Sequence, residues 1–202
     1  MTVLDRVHEA YFYGRRVRRL ADHLSGMIPS GCRLLDVGCG DGRLAHLLSE
    51  KRPDLSVEGV DVLARKQAWF PVKLFDGTTL PYPEASFDGI MLIDVLHHVR
   101  DPMPLLRESM RVSRRWLVIK DHVLQGAGAA QRLRFMDHVG NARHSVALPY
   151  NYQSANQWTA LYQELNLKVA AEVTDLHLYP WPIDYVFGAG LHFVRLLERS
   201  AQ

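Results

Sequence analysis

Apolar residues along this chain recur in two rhythms that take turns. Short runs at residues 33–37, 56–61, 72–75, 87–93 and 116–120 lack a helical period and read as strands. The runs at 87–93 and 116–120 are almost unbroken, which fits strands covered on both faces. Helical patterns lie between them. Residues 3–27 carry an apolar stripe of Val17, Leu20, Ala21 and Leu24, with Arg15, Arg16, Arg18 and Arg19 mostly off it. Asp41 is placed to cap a helix that runs to Lys51 and is broken by Pro53. A short helix is expected at 63–69, and a longer one at 102–112 with Pro102 at its start, where a missing N–H costs little.

The alternation predicts an α/β fold: a doubly wound, mostly parallel, seven-stranded sheet with helices on both faces. The rhythm then lapses. Residues 122–156 show no clear strand–helix unit and are rich in Gly, His, Asn and aromatics; so long an irregular segment reads as a lid inserted after the fifth strand. A helix resumes at 154–163 with Ser154 as its N-cap. Residues 168–179 and 191–197 then close the sheet as a hairpin, the last strand antiparallel. The expectation is one domain over 1–202, with an N-terminal helical segment at 1–29 and the lid at 122–156.

Composition changes this picture little. The chain is 48% hydrophobic and 23% charged, which is ordinarily globular, and a net charge of +2 makes no case for nucleic acid. Cys32 and Cys39 fit neither a metal spacing nor a disulfide framework, so reduced thiols in a cytoplasmic protein are expected. Asp5, Arg6, His8 and Glu9 stand where a secretory leader would be apolar, and no apolar run is long enough to span a bilayer.

The candidate chemistry begins at Leu34-Leu35-Asp36-Val37-Gly38-Cys39-Gly40-Asp41-Gly42-Arg43-Leu44. An apolar strand, an acid, alternate glycines and a helix start make a loop against which a nucleotide cofactor can lie. The dinucleotide fingerprint needs G-x-G-x-x-G, and Arg43 occupies the place of its third glycine. Asp61 ends the second strand, Asp76-Gly77 follows the third, and Leu80-Pro81-Tyr82-Pro83-Glu84-Ala85-Ser86-Phe87-Asp88 leads into the fourth. Leu96-His97-His98-Val99 comes after it.

In this order the motifs resemble those of class I S-adenosylmethionine-dependent methyltransferases of the small, single-domain kind. The resemblance covers residues 30–119 most strongly. It implies S-adenosylmethionine as cofactor and S-adenosylhomocysteine as product. Asp61 is suited to the two ribose hydroxyls, as carboxylates at strand ends are in dinucleotide sites. Asp76 and the Gly77 N–H would meet the adenine, with Leu63 and Leu80 on its faces. The family implies that the methionyl ammonium lies near Asp36 and the Gly38 carbonyl, with Gly40 packed on the ligand. Cys39, Gly42, Val62 and Ile93 complete the expected cofactor contacts.

Methyl transfer from a sulfonium is an in-line displacement that depends mostly on alignment, and an oxygen or nitrogen acceptor can also need a base. His97 and His98 after the fourth strand, and His122 after the fifth, are the candidates. Asp121, Asn141, Arg143, His144 and Tyr152 are the candidate contacts to a small-molecule acceptor. Asp121, Asp137 and Asn141 are conceivable metal ligands, but no tight ligand spacing supports them and no metal is expected. Rival readings are an RNA or protein methyltransferase, using Arg15, Arg16, Arg18, Arg19, Arg111, Arg114 and Arg115 on phosphate, a dehydrogenase, and a catalytically silent cofactor binder. The usual meaning of such arginine runs is a solvated helix face. Asp94-Val95-Leu96-His97 stands where many nucleobase amine methylases carry an Asn-Pro-Pro-Tyr type tetrapeptide, so nucleic acid is not the expected partner, nor is a membrane.

Overall fold

Helix α1 (Gly14–Met27) leads into β1 (Arg33–Val37), α2 (Arg43–Lys51), β2 (Ser56–Asp61), β3 (Val72–Leu74) and β4 (Phe87–Ile93). A 3₁₀ turn (Leu96–His98), α3 (Met103–Val112), β5 (Ser113–His122), α4 (Ala129–Asn141) and α5 (Ala155–Glu164) follow. β6 (Leu167–Val173), α6 (Ile183–Phe187) and β7 (His192–Arg199) close the series. The structure, a computed structural model, describes residues 13–65, 67–141, 148–188 and 190–200.

One seven-stranded sheet has the order β3-β2-β1-β4-β5-β7-β6. The first five strands pair in parallel, and β7 lies antiparallel between β5 and β6. Successive strand residues face opposite sides, so two cores form. On one face Leu35, Val37, Ile90, Leu117 and Ile119 pack with Leu105, Leu106 and Met110 of α3 and Trp158 of α5. On the other, Leu34, Met91, Trp116 and Val118 pack with Leu20 and Leu24 of α1 and Ala45 and Leu48 of α2. Each buried leucine contributes about 1.5–3 kcal/mol relative to leaving it in water. The doubly wound, mostly parallel architecture is thus the one its strand periodicity predicts.

Four local expectations change. The α2 cap is Gly42, at φ 75°, and Asp41 instead accepts the Arg43 N–H at 3.1 Å. No helix forms among the described residues of 63–69, because the site recruits its donors: the Leu63 N–H bonds to Asp61 and the Trp69 N–H to the Asp41 carbonyl. The segment after β5 contains α4. Its buried residues include Leu133 and Asp137, while Phe135 and Val139 are exposed, so its apolar pattern does not mark the packed face. Strand β6 stops at Val173, after which Leu176 and Leu178 still fill the α1-side core from irregular backbone. Ser154 does cap α5, in a capping box with Gln157.

Candidate active site

The glycine loop crosses the carboxyl end of the sheet after β1. Gly38, Gly40 and Gly42 all have positive φ, between 63° and 76°. At Gly38 a Cβ would also lie 2.5 Å from a Val95 methyl, so only glycine fits. At Gly40 an added Cβ would meet nothing within 4 Å, which leaves open space above the loop. Asp61 holds the loop by accepting the Gly40 N–H and the Leu63 N–H, each at 2.8 Å. A carboxylate has about four lone-pair sites, so acceptor capacity remains for ribose hydroxyls. Val62 is exposed and touches the Gly77 position, where φ is 85°.

Other expected cofactor residues have taken on local work. Asp76 is exposed; its Oδ1 accepts the Thr78 and Thr79 N–H groups and the Thr78 hydroxyl, which hold its pKa below the usual carboxylate range. It shapes its own turn through one oxygen and leaves the other outward. Leu80 is buried in the α3-side core and does not face open space as an adenine contact would. Cys39 lies against Gly59, and burial pushes its thiol pKa up. Ile93 packs partly against the α1-side core. Asp36 is 2% exposed, and burial with nearby Asp61 pushes its pKa up to about 7.

Consecutive residues of β5 address two buried clusters. Asp121 builds the first. Its Oδ1 accepts from His97 Nδ1 at 2.7 Å and from the His122 N–H at 2.7 Å, with His122 Nδ1 at 3.2 Å; its Oδ2 accepts the Leu96 N–H at 3.1 Å. Asp121 is therefore fully engaged within the protein and is not placed as an acceptor contact. Tyr152 stacks near His97, with centroids 6.0 Å apart, and donates its hydroxyl to Asp137 of α4 at 2.6 Å. Asp137 Oδ1 stands 3.6 Å from His97 Nε2. Tyr152 thus reaches the histidine cluster by packing over His97.

The three histidines separate by environment. Burial alone would lower the His97 pKa, but Asp121 and Asp137 outweigh it and raise it. His122 is pushed down to about 4 by burial, with His97 and Lys120 adding to the effect, so it is a weak base at neutral pH. Its carbonyl anchors Trp158 Nε1 at 2.9 Å. His98 is half-buried beside His97, ring centroids 4.1 Å apart. Asn141 ends α4; its side chain, and Arg143 and His144, lie outside the described residues.

Lys120 builds the second cluster, which sequence reasoning missed. It is completely buried, pairs with Asp94, and lies 3.4 Å from His192 Nδ1. Arg16 of α1 also pairs with Asp94, so it is not on a solvated face. The sequence did carry a signal, a lysine at the end of the apolar run Trp116–Lys120. Among the described residues, Asp94, His97 and His122 bring one donor atom each within 4.8 Å of one another. Two cations already share the Asp94 carboxylate, which opposes placing a metal ion there.

A family model described as a methyltransferase domain matches residues 7–172. The chain belongs to this methyltransferase family. Its fold and sequence place it in class I, the S-adenosylmethionine-dependent group, and the methyltransferase is similar across most of its length to solved members. It covers 98% of itself and 99% of a SAM-dependent methyltransferase from Aquifex aeolicus, with TM-score 0.64 and 17% identity. The [4+2]-cyclase SpnF aligns with TM-score 0.62 and 18% identity over 91% of this chain and 81% of that one. At these identities the likeness concerns fold. By sequence, the methyltransferase is 33% identical over 111 residues to 27-O-demethylrifamycin SV methyltransferase of Amycolatopsis mediterranei (strain S699), covering 48% of this chain and 40% of that protein. The match thus spans less than half of that relative's length.

Proposed function

We propose that the protein moves a methyl group from S-adenosylmethionine to an oxygen or nitrogen of a small-molecule acceptor, leaving S-adenosylhomocysteine. The observation that carries this is the His97–Asp121 pair at the carboxyl ends of β4 and β5, beside the glycine loop. When bound, the cofactor supplies a methyl already activated on a sulfonium. Asp61, Val62, Gly77 and the Gly38–Gly40 backbone are the residues to hold it. The acceptor is a small molecule, selected under the segment that carries α4 and Tyr152.

His97 is the base. Asp121 fixes its Nδ1–H, which presents Nε2 to the acceptor proton and stabilises the imidazolium that forms. Asp137 now faces that Nε2, and His97 is 3% exposed, so α4 and Tyr152 must yield for an acceptor to arrive. The raised pKa makes His97 a stronger base that is free only at higher pH. Turnover therefore rises with pH through a value above that of an ordinary histidine. Three of the seven arginines of the rival RNA reading have structural partners: Arg16 with Asp94, Arg111 with Glu108, Arg114 with the Ala85 carbonyl.

The test uses methyl-labelled adenosylmethionine with a panel of small alcohols, phenols and amines, alongside RNA and protein. Label should enter a small molecule, and His97→Ala should cut turnover by about 10²–10⁴ without changing cofactor affinity. Label in RNA or protein, or full turnover in His97→Ala, refutes the reading.

A further inference from the structure

Exposed apolar side chains gather where α4 meets α6. Trp181, just before α6, is 85% exposed, Tyr185 77% and Phe135 58%, and Val139 and Val186 are exposed beside them. Phe135 stacks on Phe187 with ring centroids 5.6 Å apart, and Arg132 Nη1 donates to the Val186 carbonyl at 3.0 Å, so the two helices present one surface. A whole aromatic side chain offers about 150–250 Å². The three exposed rings therefore leave roughly 400 Å² of apolar surface in water, a patch large enough to mark a contact surface.

We propose that the α4–α6 surface docks on an anionic lipid layer, with Trp181, Tyr185 and Phe135 entering its headgroup region. Charge favours this occupant. α4 carries Arg132 and Arg134, and its one carboxylate, Asp137, is buried near His97. The one carboxylate of α6, Asp184, accepts the Tyr179 N–H at 3.0 Å and faces His177 Nδ1 at 3.2 Å, so it turns back into the protein. Asp175, before α6, takes the other nitrogen of that ring at 3.1 Å. Residue type agrees with charge: Trp and Tyr join an apolar body to a polar tip and settle where lipid meets water. Area disfavours a protein partner. A stable contact between proteins buries about 800 Å² on each side, and this patch supplies roughly half of that.

The protein would lie on the layer, since no described helix is long and apolar enough to cross a membrane. Inserted rings and cationic side chains are each weak anchors, and together they suffice. The expectation of no membrane partner rested on the lack of a spanning run, which surface docking does not need. α4 also carries Asp137, 3.6 Å from His97 Nε2. The surface turned to lipid is therefore the outer wall of the candidate site.

Co-sedimentation of the full chain with vesicles tests this, without cofactor or acceptor. The protein should bind vesicles of equal parts phosphatidylcholine and phosphatidylglycerol, and bind phosphatidylcholine alone at least about fivefold more weakly. Trp181→Ala and Tyr185→Ala should each weaken binding to the mixed vesicles by about tenfold, with the melting temperature unchanged. Trp181→Phe keeps an apolar ring, so it should bind within about twofold yet lose most of the quenching of tryptophan emission by brominated lipid. No binding to the mixed vesicles overturns the proposal. So does full binding by Trp181→Ala, or quenching that survives in Trp181→Phe. A concentration-dependent dimer in sedimentation velocity that Trp181→Ala dissolves also overturns it, and gives the surface to a second copy of this chain. No step depends on methyl transfer, so this proposal and the functional reading above stand or fall separately.

Discussion

Replacing Asp121 with asparagine keeps its size and removes its charge, and the structure allows the cost to be worked out. Asp121 is 1% exposed and receives the Leu96 N–H on one oxygen and His97 and His122 on the other. An amide has only one acceptor atom. Whichever way the substituted amide turns, its NH₂ must face a buried donor, either the Leu96 N–H or the His97 and His122 groups. Removing one partner of a buried ion pair costs about 3–5 kcal/mol. That is a large share of a total stability of about 5–15 kcal/mol. For a domain of this size it lowers the melting temperature by roughly 10 °C. The pH dependence changes as well. The folded-state His97 pKa lies above its unfolded value, so its contribution is fully present below the unfolded pKa and is lost as pH rises through the folded pKa. Urea denaturation of the unaltered protein should show stability falling as pH rises above the unfolded histidine value. In Asp121→Asn that slope should flatten, because the largest of the attractions raising the pKa is gone. A loss below about 1 kcal/mol, or an unchanged slope, would refute the account of Asp121 as the buried anchor of the site.

Two further outcomes follow from the same geometry. Asp61→Ala removes the acceptor of the Gly40 and Leu63 N–H groups along with the expected ribose contact, so S-adenosylhomocysteine affinity should fall by about 10² or more in calorimetry; retained affinity would sink the ribose assignment. Gly89→Ala puts a methyl into the ring of buried Trp116 on the neighbouring strand. Overpacking of this kind costs about 1–3 kcal/mol, and a denaturation midpoint equal to that of the unaltered protein would contradict the close packing of β4 on β5.

Much of the fold was legible because strand period, glycine placement and proline breaks all act locally. Arg33–Val37, Ser56–Asp61 and Phe87–Ile93 begin and end where those local signals put them. The errors arise where a tertiary contact takes over a local group. Residues 63–69 lose their helix because Asp61 and Asp41 claim the backbone donors. α4 is hidden because the residue it buries against His97 is Asp137, a polar residue that carries no hydrophobic signal. The histidines of the site were visible as a motif, but their division of labour was not. His97 and His122 share Asp121 and differ in charge preference only through what surrounds each of them. Lys120 and Asp94 are separated by 26 positions, and nothing in either local sequence announces that they meet.

The placement of β7 has a bearing on how the molecule comes into being. β7 follows β6 in chain order, yet it lies between β5 and β6. During synthesis, β5 therefore waits with an open edge while α4, α5 and β6 are made, and β6 has no strand to join. His192, which steadies Lys120, arrives only with β7, opposite His122. A nascent chain halted before His192 would expose an unpaired apolar strand edge, the feature that recruits other chains into aggregates. The arrival of one strand thus completes the chemical centre and closes the vulnerable edge in the same event.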